Sequence, residues 1–121
     1  MQKETTHIAQ PFSNFLKEMG WEVENIHGNQ YQDGLPDKYI FHSQYSPRWV
    51  EFKVFHCNTV ELTTSQKKKF PRMLAANVPI YVIAHTDLRG NVRECRRLYS
   101  KLFEEPNAHF ALVKSLNHML R

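Results

Sequence analysis

Three side chains with the capacity for chemistry occur in one short part of this sequence. Asp37 begins an apolar run, and Glu51 and Lys53 stand two residues apart in a second run whose composition is otherwise that of a buried strand. Side chains two residues apart in a strand point to the same face, so Glu51 and Lys53 project together. If the two runs form a hairpin centred near Gln44, Asp37 lies opposite Glu51, and two carboxylates and one ammonium group converge.

Such a group of side chains suits a divalent cation. Hard carboxylate oxygens are the ligands that Mg²⁺ prefers, and a metal held by Asp37 and Glu51 would lower the pKa of a bound water and stabilise a pentacovalent phosphate. Lys53 would hold that water or neutralise the developing charge. The alternative is structural: an ordinary Glu51–Lys53 pair on a solvent-exposed sheet face, with Asp37 as a turn residue.

The elements that must position these residues follow from the spacing of apolar residues. Residues 8–19 predict an amphipathic helix, which Gly20 ends. Residues 43–48 predict a turn. The remaining pattern predicts strands at 21–26, 37–42 and 49–55, a helix at 63–77, a strand at 79–85, and helices at 91–103 and 107–120. The predicted order is therefore helix, three strands, helix, strand and two further helices.

Length and composition fit one domain. The chain has 121 residues, 41% hydrophobic and 23% charged, which predicts a single domain spanning 1–121, with a core at about 8–86 and a basic helical extension at about 91–121. No apolar run approaches the ~20 residues of a membrane span, so no membrane partner is expected. Cys57 and Cys95 form no Cys-x-x-Cys pair, which favours free thiols in a reducing, cytoplasmic setting.

Charge is divided unevenly along the chain. Residues 1–62 carry five Lys/Arg and eight Asp/Glu, whereas residues 63–121 carry eleven Lys/Arg and four Asp/Glu. This asymmetry favours a polyanionic partner, nucleic acid first, although a solvated basic surface is the alternative. The candidate phosphate-binding residues lie on two predicted helices, and those of the second helix share one stripe: Lys67, Lys68 and Lys69, then Arg93, Arg96, Arg97 and Lys101.

The order and spacing of these residues resemble a known signature. Pro36-Asp37 is followed, fourteen residues after Asp37, by Glu51-Phe52-Lys53, which resembles the PD-(D/E)xK nuclease motif. The segments GLPDKYIF, WVEFKV, LTTSQKKKF and VPIYVI are similar in particular to small stand-alone members of that superfamily, the virus-type replication-repair nuclease domains and archaeal-type Holliday junction resolvases. The resemblance covers roughly residues 8–86.

This resemblance implies a fold and a set of roles. The fold would be α/β, with a restriction-endonuclease-like core in which a mixed central sheet is flanked by helices (α-β-β-β-α-β), plus two C-terminal helices. Asp37 and Glu51 would be metal ligands, with the Phe52 carbonyl as a third, and Lys53 would be the catalytic lysine. Gln66 would lie near the metal, although its place in Thr-Thr-Ser-Gln also has the spacing of a helix capping box.

The expected activity is Mg²⁺-dependent hydrolysis of DNA phosphodiester bonds, with Mn²⁺ as a substitute metal. Selectivity for junctions or branched DNA would follow from the resemblance, and a homodimer is expected because cutting both strands needs two sites. One departure from the family is the missing acid on the first helix, where residues 7–10 are His-Ile-Ala-Gln. Glu4 or Glu18 would have to replace it. The alternatives are a non-catalytic DNA-binding protein of the same fold and an RNA-directed nuclease.

Overall fold

The computed structural model of the chain describes residues 4–26, 34–54 and 61–104, with side chains as far as Ser100. A π-helical segment, Glu4–Ala9, continues into helix α1. The elements that follow are α1 (Gln10–Glu18), β1 (Glu22–Asn25), β2 (Lys38–His42), β3 (Tyr45–Val54), α2 (Thr64–Ala75), β4 (Ile80–His85) and α3 (Val92–Glu104). The helix predicted at 107–120 lies outside the described residues.

The four strands form one mixed sheet in the order β1-β2-β3-β4. The pairs β1–β2 and β2–β3 are antiparallel, whereas β3 and β4 are parallel. Parallel neighbours need a crossover connection, and α2 lies in that connection. In the described ranges the fold is therefore the predicted α/β arrangement, a mixed four-stranded sheet with three α-helices.

The helix α1 forms because its apolar residues recur at helical spacing. Ile8, Phe12 and Leu16 are fully buried. Gly20 ends the helix with a φ of +95°, a conformation that glycine adopts at little cost, and the chain turns so that the Trp21 N–H donates to the Leu16 carbonyl. Within the described ranges, no helix combines the length and the apolar character needed to cross a membrane.

The second half of β3, residues 48–53, is largely buried on both faces, because it lies between β2 and β4 and is covered by helices on either side. On one face, Val50 and Phe52 join a cluster that includes buried residues of α1 and α3. On the other face, Trp49 packs against a smaller cluster that contains Phe70 of α2 and Val82 of β4. Glu51 and Lys53 share this second face, so they lie beneath α2.

The prediction of a turn over residues 43–48 was wrong. The connection between β2 and β3 is only Ser43–Gln44, and β3 begins at Tyr45. The pairing shifts by one residue between Ile40 and His42, which leaves an extra residue on β3 next to Pro47. A bulge of this kind accommodates a proline, which cannot donate a hydrogen bond to the ladder, and proline had made this stretch resemble a loop.

Candidate functional site

Asp37 and Glu51 face each other across the β2–β3 pair, as predicted. Lys38 pairs with Val50, so Asp37, one residue earlier, lies opposite Glu51. The Asp37 N–H donates to Glu51 Oε1 at 3.0 Å, and the Phe52 N–H donates to Asp37 Oδ2 at 2.9 Å. Each carboxylate is thus held by the backbone of the opposite strand, which fixes the orientation of both.

Lys53 joins this pair in the protein interior. Its Nζ lies 3.4 Å from Glu51 Oε2, and Glu51 and Lys53 are only 2% and 7% exposed. This burial disagrees with the structural alternative of a pair on a solvent-exposed sheet face, because α2 covers that face. Since buried ionisable groups are costly, the cluster is a candidate functional site on physical grounds.

Burial and like charge together make Glu51 a weak acid. Loss of water is the larger cause and the neighbouring Asp37 the next, and they raise the pKa of Glu51 to about 8. The ammonium group of Lys53 and a hydrogen bond from Gln66 act in the opposite direction. Two adjacent carboxylates in a water-poor setting are therefore poorly neutralised by the single Lys53 charge.

The pKa of Asp37 is also raised, mainly by burial, although its hydrogen bond from the Phe52 backbone opposes the shift. The negative charge of Glu4 raises it further, whereas Lys53 and Lys38 lower it. Glu4 and Lys38 are thus close enough to act on the site, and sequence patterns had given Lys38 no role.

Gln66 forms the predicted capping box and also contacts Glu51. Its Oε1 accepts from the Thr63 N–H at 3.0 Å, and its own N–H donates to Thr63 Oγ1 at 3.1 Å, which completes a capping box at the start of α2. Because Oε1 is engaged in this way, the side-chain NH₂ group is the donor that contacts Glu51. Gln66 therefore ties the first turn of α2 to the carboxylate pair.

Gly34 explains why the segment before Asp37 can lie against α2. Its φ is +86°, and a Cβ atom at this position would lie 2.6 Å from the Ser65 carbonyl oxygen and 3.1 Å from Lys69 Cβ. A glycine is thus required both by backbone conformation and by close packing. The segment that precedes Asp37 is thereby held beside α2, the helix that contains Gln66.

The structure distinguishes between the two acids that were considered as replacements on the first helix. Glu4 acts electrostatically on Asp37, whereas Glu18 lines a separate depression beside α3, with Leu88 and Cys95. Across residues 4–26, 34–54 and 61–104, however, no three His, Cys, Asp or Glu side chains meet closely enough to hold a metal. The described site therefore has two carboxylates, with Glu4 in its neighbourhood.

The two sets of predicted phosphate-binding cations lie on opposite faces of the sheet. Lys67 and Lys68 are exposed on α2, and Lys69 is half-buried. Arg93, Arg96 and Arg97 are exposed on α3, which packs on the face away from Glu51. Arg97 is also paired with Glu94. The side chain of Lys101 lies outside the described part of the structure. The cations that act electrostatically on the carboxylates are Lys53 and Lys38.

Comparison with known proteins identified no relative of this chain. No protein-family model, no curated protein and no solved structure matches the chain. Function is therefore inferred from the residues and from their geometry.

Replacing Gln66 with Glu tests its contact with Glu51. The new side chain keeps an oxygen for the Thr63 N–H but puts a third acid against the carboxylate pair. If the protein has the nuclease activity that the sequence resemblance implies, we expect at least a tenfold loss in cleavage rate, about 1.4 kcal/mol in the transition state. We also expect a loss of stability that grows as pH rises. Rates come from single-turnover cleavage and stability from thermal unfolding.

The matched control is Thr63→Ala, which removes the cap and keeps the Gln66–Glu51 contact. It should lose about 1 kcal/mol of stability and keep its cleavage rate. Equal cleavage rates for the two variants would leave Gln66 with a capping role alone.

Proposed function

We propose that this protein is a Mg²⁺-dependent endonuclease that hydrolyses DNA phosphodiester bonds, with a restriction-endonuclease-like core of the PD-(D/E)xK type. The observation that carries the proposal is the buried carboxylate pair, Asp37 and Glu51, fixed by reciprocal backbone hydrogen bonds with Lys53 Nζ at 3.4 Å. The order of the elements, with a helix before three strands and a second helix before the last strand, supports the same conclusion.

The residues at this site fit a divalent cation. Both acids supply hard oxygens, as Mg²⁺ requires. Burial is the main cause of their raised pKa values, and a bound cation would favour their charged forms. Asp37 and Glu51 would hold the ion, with the Phe52 carbonyl as a third ligand, and Mn²⁺ would substitute. The ion would supply an activated water and charge stabilisation at the phosphate.

The chain's own residues have separate tasks in this proposal. Lys53 lies against Glu51, beneath α2. Its ammonium group would stabilise the negative charge that develops on the phosphate. Gln66 holds the Glu51 carboxylate in position and fixes the start of α2 beside it. The positive end of that helix favours a phosphate at the same place.

DNA is the preferred substrate because the second half of the chain is strongly basic and because Lys67 and Lys68 are exposed on the helix that begins at the site. A homodimer would supply the two sites needed to cut both strands, and a junction or branched DNA would be cut in this way. An RNA substrate is compatible with the same chemistry. The second candidate function, DNA binding without cleavage, is favoured by the lack of a third acid at metal-binding distance in the described ranges.

Asp37→Ala separates cutting from binding. We expect this variant to lose cleavage with Mg²⁺ or Mn²⁺ by at least ~100-fold, a cost of about 2.7 kcal/mol, and to bind DNA as tightly as the wild type or more so, because a negative charge near the phosphates is removed. Wild-type protein with Ca²⁺ should bind without cutting. Cleavage is measured on labelled DNA, and binding by fluorescence anisotropy. Normal cutting by Asp37→Ala would refute the proposed role of the carboxylate pair.

A further inference from the structure

A polar groove of about 230 Å³ lies between α1 and the ends of β1 and β2. The first helix supplies most of its wall, β1 supplies its last residue and β2 its first. The lining residues are Thr5, Ala9, Gln10, Ser13, Asn14, Lys17, Asn25 and Lys38. They include two lysines and no acid, so the groove is positively charged and rich in hydrogen-bond donors.

Ser13 is the feature that distinguishes this groove from an ordinary surface depression. It is only 8% exposed, and in the described part of the chain its Oγ is the one buried side-chain polar atom without a hydrogen-bond partner. A buried polar group without a partner is unfavourable. Ser13 lines the groove, so a turn of its side chain towards the groove would let the hydroxyl donate to a ligand there and would remove this cost.

The groove lies on the α1 side of the sheet and includes Lys38, the residue directly after Asp37. The positive charge of Lys38 lowers the pKa of Asp37. On the helix side of the groove, Thr5 follows Glu4 in the chain, and the negative charge of Glu4 raises the pKa of Asp37. A strand of nucleic acid with one phosphate at Asp37 can therefore place a neighbouring phosphate in the groove. Glu4, at the edge nearest Asp37, is the acid that such a strand would have to pass.

We propose that this groove is a subsite for a phosphate of the bound nucleic acid strand, next to the phosphate that is cut. The proposal rests on the proposed function, because that function places a phosphodiester at Asp37. A phosphate has only acceptor oxygens, and the groove offers the Ser13 hydroxyl, the amides of Gln10 and Asn14, and the ammonium groups of Lys17 and Lys38. Charged donors of this kind make the stronger hydrogen bonds to phosphate.

Lys38 is already oriented for this role. Its Nζ donates to Asn25 Oδ1 at 2.7 Å, which ties the first residue of β2 to the last residue of β1. Lys17, by contrast, is exposed on α1. Lys17 is therefore the better residue for a test by mutation, because its replacement leaves the β1–β2 contact intact.

The test measures binding of a short single-stranded DNA in Ca²⁺, where no cleavage is expected, at several salt concentrations. Lys17→Ala should weaken binding at least threefold and make the slope of log K against log[salt] shallower by about 0.7, and Lys17→Arg should restore binding. Ser13→Ala should weaken binding without lowering the melting temperature. The control is Arg72→Ala, which removes one exposed positive charge at the end of α2, outside the groove.

If the slope of log K against log[salt] is the same for Lys17→Ala as for Arg72→Ala, the proposal of a phosphate subsite is wrong. Inorganic phosphate, followed by NMR shifts of the Ser13 and Lys17 amides, provides a second arm. Shifts with phosphate but unchanged DNA binding in both groove variants would assign the groove to a free anion and also overturn the proposal. These measurements need no cleavage. If the protein binds DNA through the groove and never cuts it, the proposed nuclease activity is wrong but the groove is still a phosphate subsite.

Discussion

Replacing Glu51 with Gln should abolish cleavage and at the same time remove a pH-dependent weakness of the fold. Gln keeps an oxygen for the Asp37 N–H and removes the charge that Asp37 repels, while Asp37 remains to neutralise Lys53. We expect cleavage with Mg²⁺ to fall at least ~100-fold, about 2.7 kcal/mol. This combination of lost activity and gained stability is typical of a functional group held in an unfavourable setting.

The stability effect has a defined sign. The pKa of Glu51 is about 8 in the folded protein and 4.5 as the ordinary value, so the folded state holds a proton that the unfolded state releases. Wild-type stability is therefore full below the unfolded pKa and is lost as pH rises towards and through 8. The difference in the free energy of unfolding between Glu51→Gln and wild type should grow by about 2–4 kcal/mol between pH 5 and pH 8.

Urea unfolding at each pH measures this difference, and Glu24→Gln, the same chemical change at an exposed position of β1, is the control. Mg²⁺ should raise the melting temperature of the wild type, because a ligand that binds only the folded state stabilises it, and should leave Glu51→Gln unchanged. A Glu51→Gln variant with the pH profile of Glu24→Gln and the same Mg²⁺ response as wild type would show that Glu51 is neither protonated nor a ligand.

Gly34→Ala is expected to have the largest effect on the fold. An alanine here must adopt a positive φ, which costs about 1–2 kcal/mol, and its Cβ would also lie 2.6 Å from the Ser65 carbonyl oxygen, which forces the backbone or α2 to move. We expect a total loss of about 3 kcal/mol or more. Cleavage should fall as well, because Asp37 and the first turn of α2 would be displaced from each other.

Gly90→Ala is a matched control for Gly34→Ala. Gly90 also has a positive φ, +67°, but an added Cβ would meet nothing within 4 Å, so only the conformational cost applies. Urea unfolding of both variants, with cleavage assays on the folded fraction, isolates the packing cost. Equal destabilisation of the two variants would show that the Gly34 segment yields easily and does not fix Asp37.

The central part of the site was predictable from sequence because it depends on local rules. Strand alternation places Glu51 and Lys53 on one face, and a short hairpin places Asp37 opposite Glu51; both expectations were confirmed. The degree of burial was not predictable, because alternation does not show that α2 covers this face. The early start of β3 was missed for a local reason, since Pro47 in a bulge has the same sequence signal as a turn.

Residues from distant parts of the chain account for what sequence patterns missed. Glu4 lies a little early for a site residue if the first helix is treated as regular α-helix, but Glu4–Ala9 is π-helical, which winds more widely and changes the face on which a side chain lies. Ser13 sits between apolar helix positions and gave no signal beyond its polarity. The groove that it lines needs β1 and β2 beside α1, and only the fold supplies that arrangement.

The most direct test of the central claim is cleavage of a panel of DNAs by the purified protein, with Mg²⁺ and with excess chelator. The panel contains single-stranded, linear duplex, flap and four-way junction DNAs of matched sequence, with an RNA of the same sequence. We predict cleavage of at least one DNA with Mg²⁺ and none with chelator. Binding to the same DNAs without cleavage in Mg²⁺ or Mn²⁺, or cleavage that persists in chelator, would contradict the assignment of a metal-dependent nuclease.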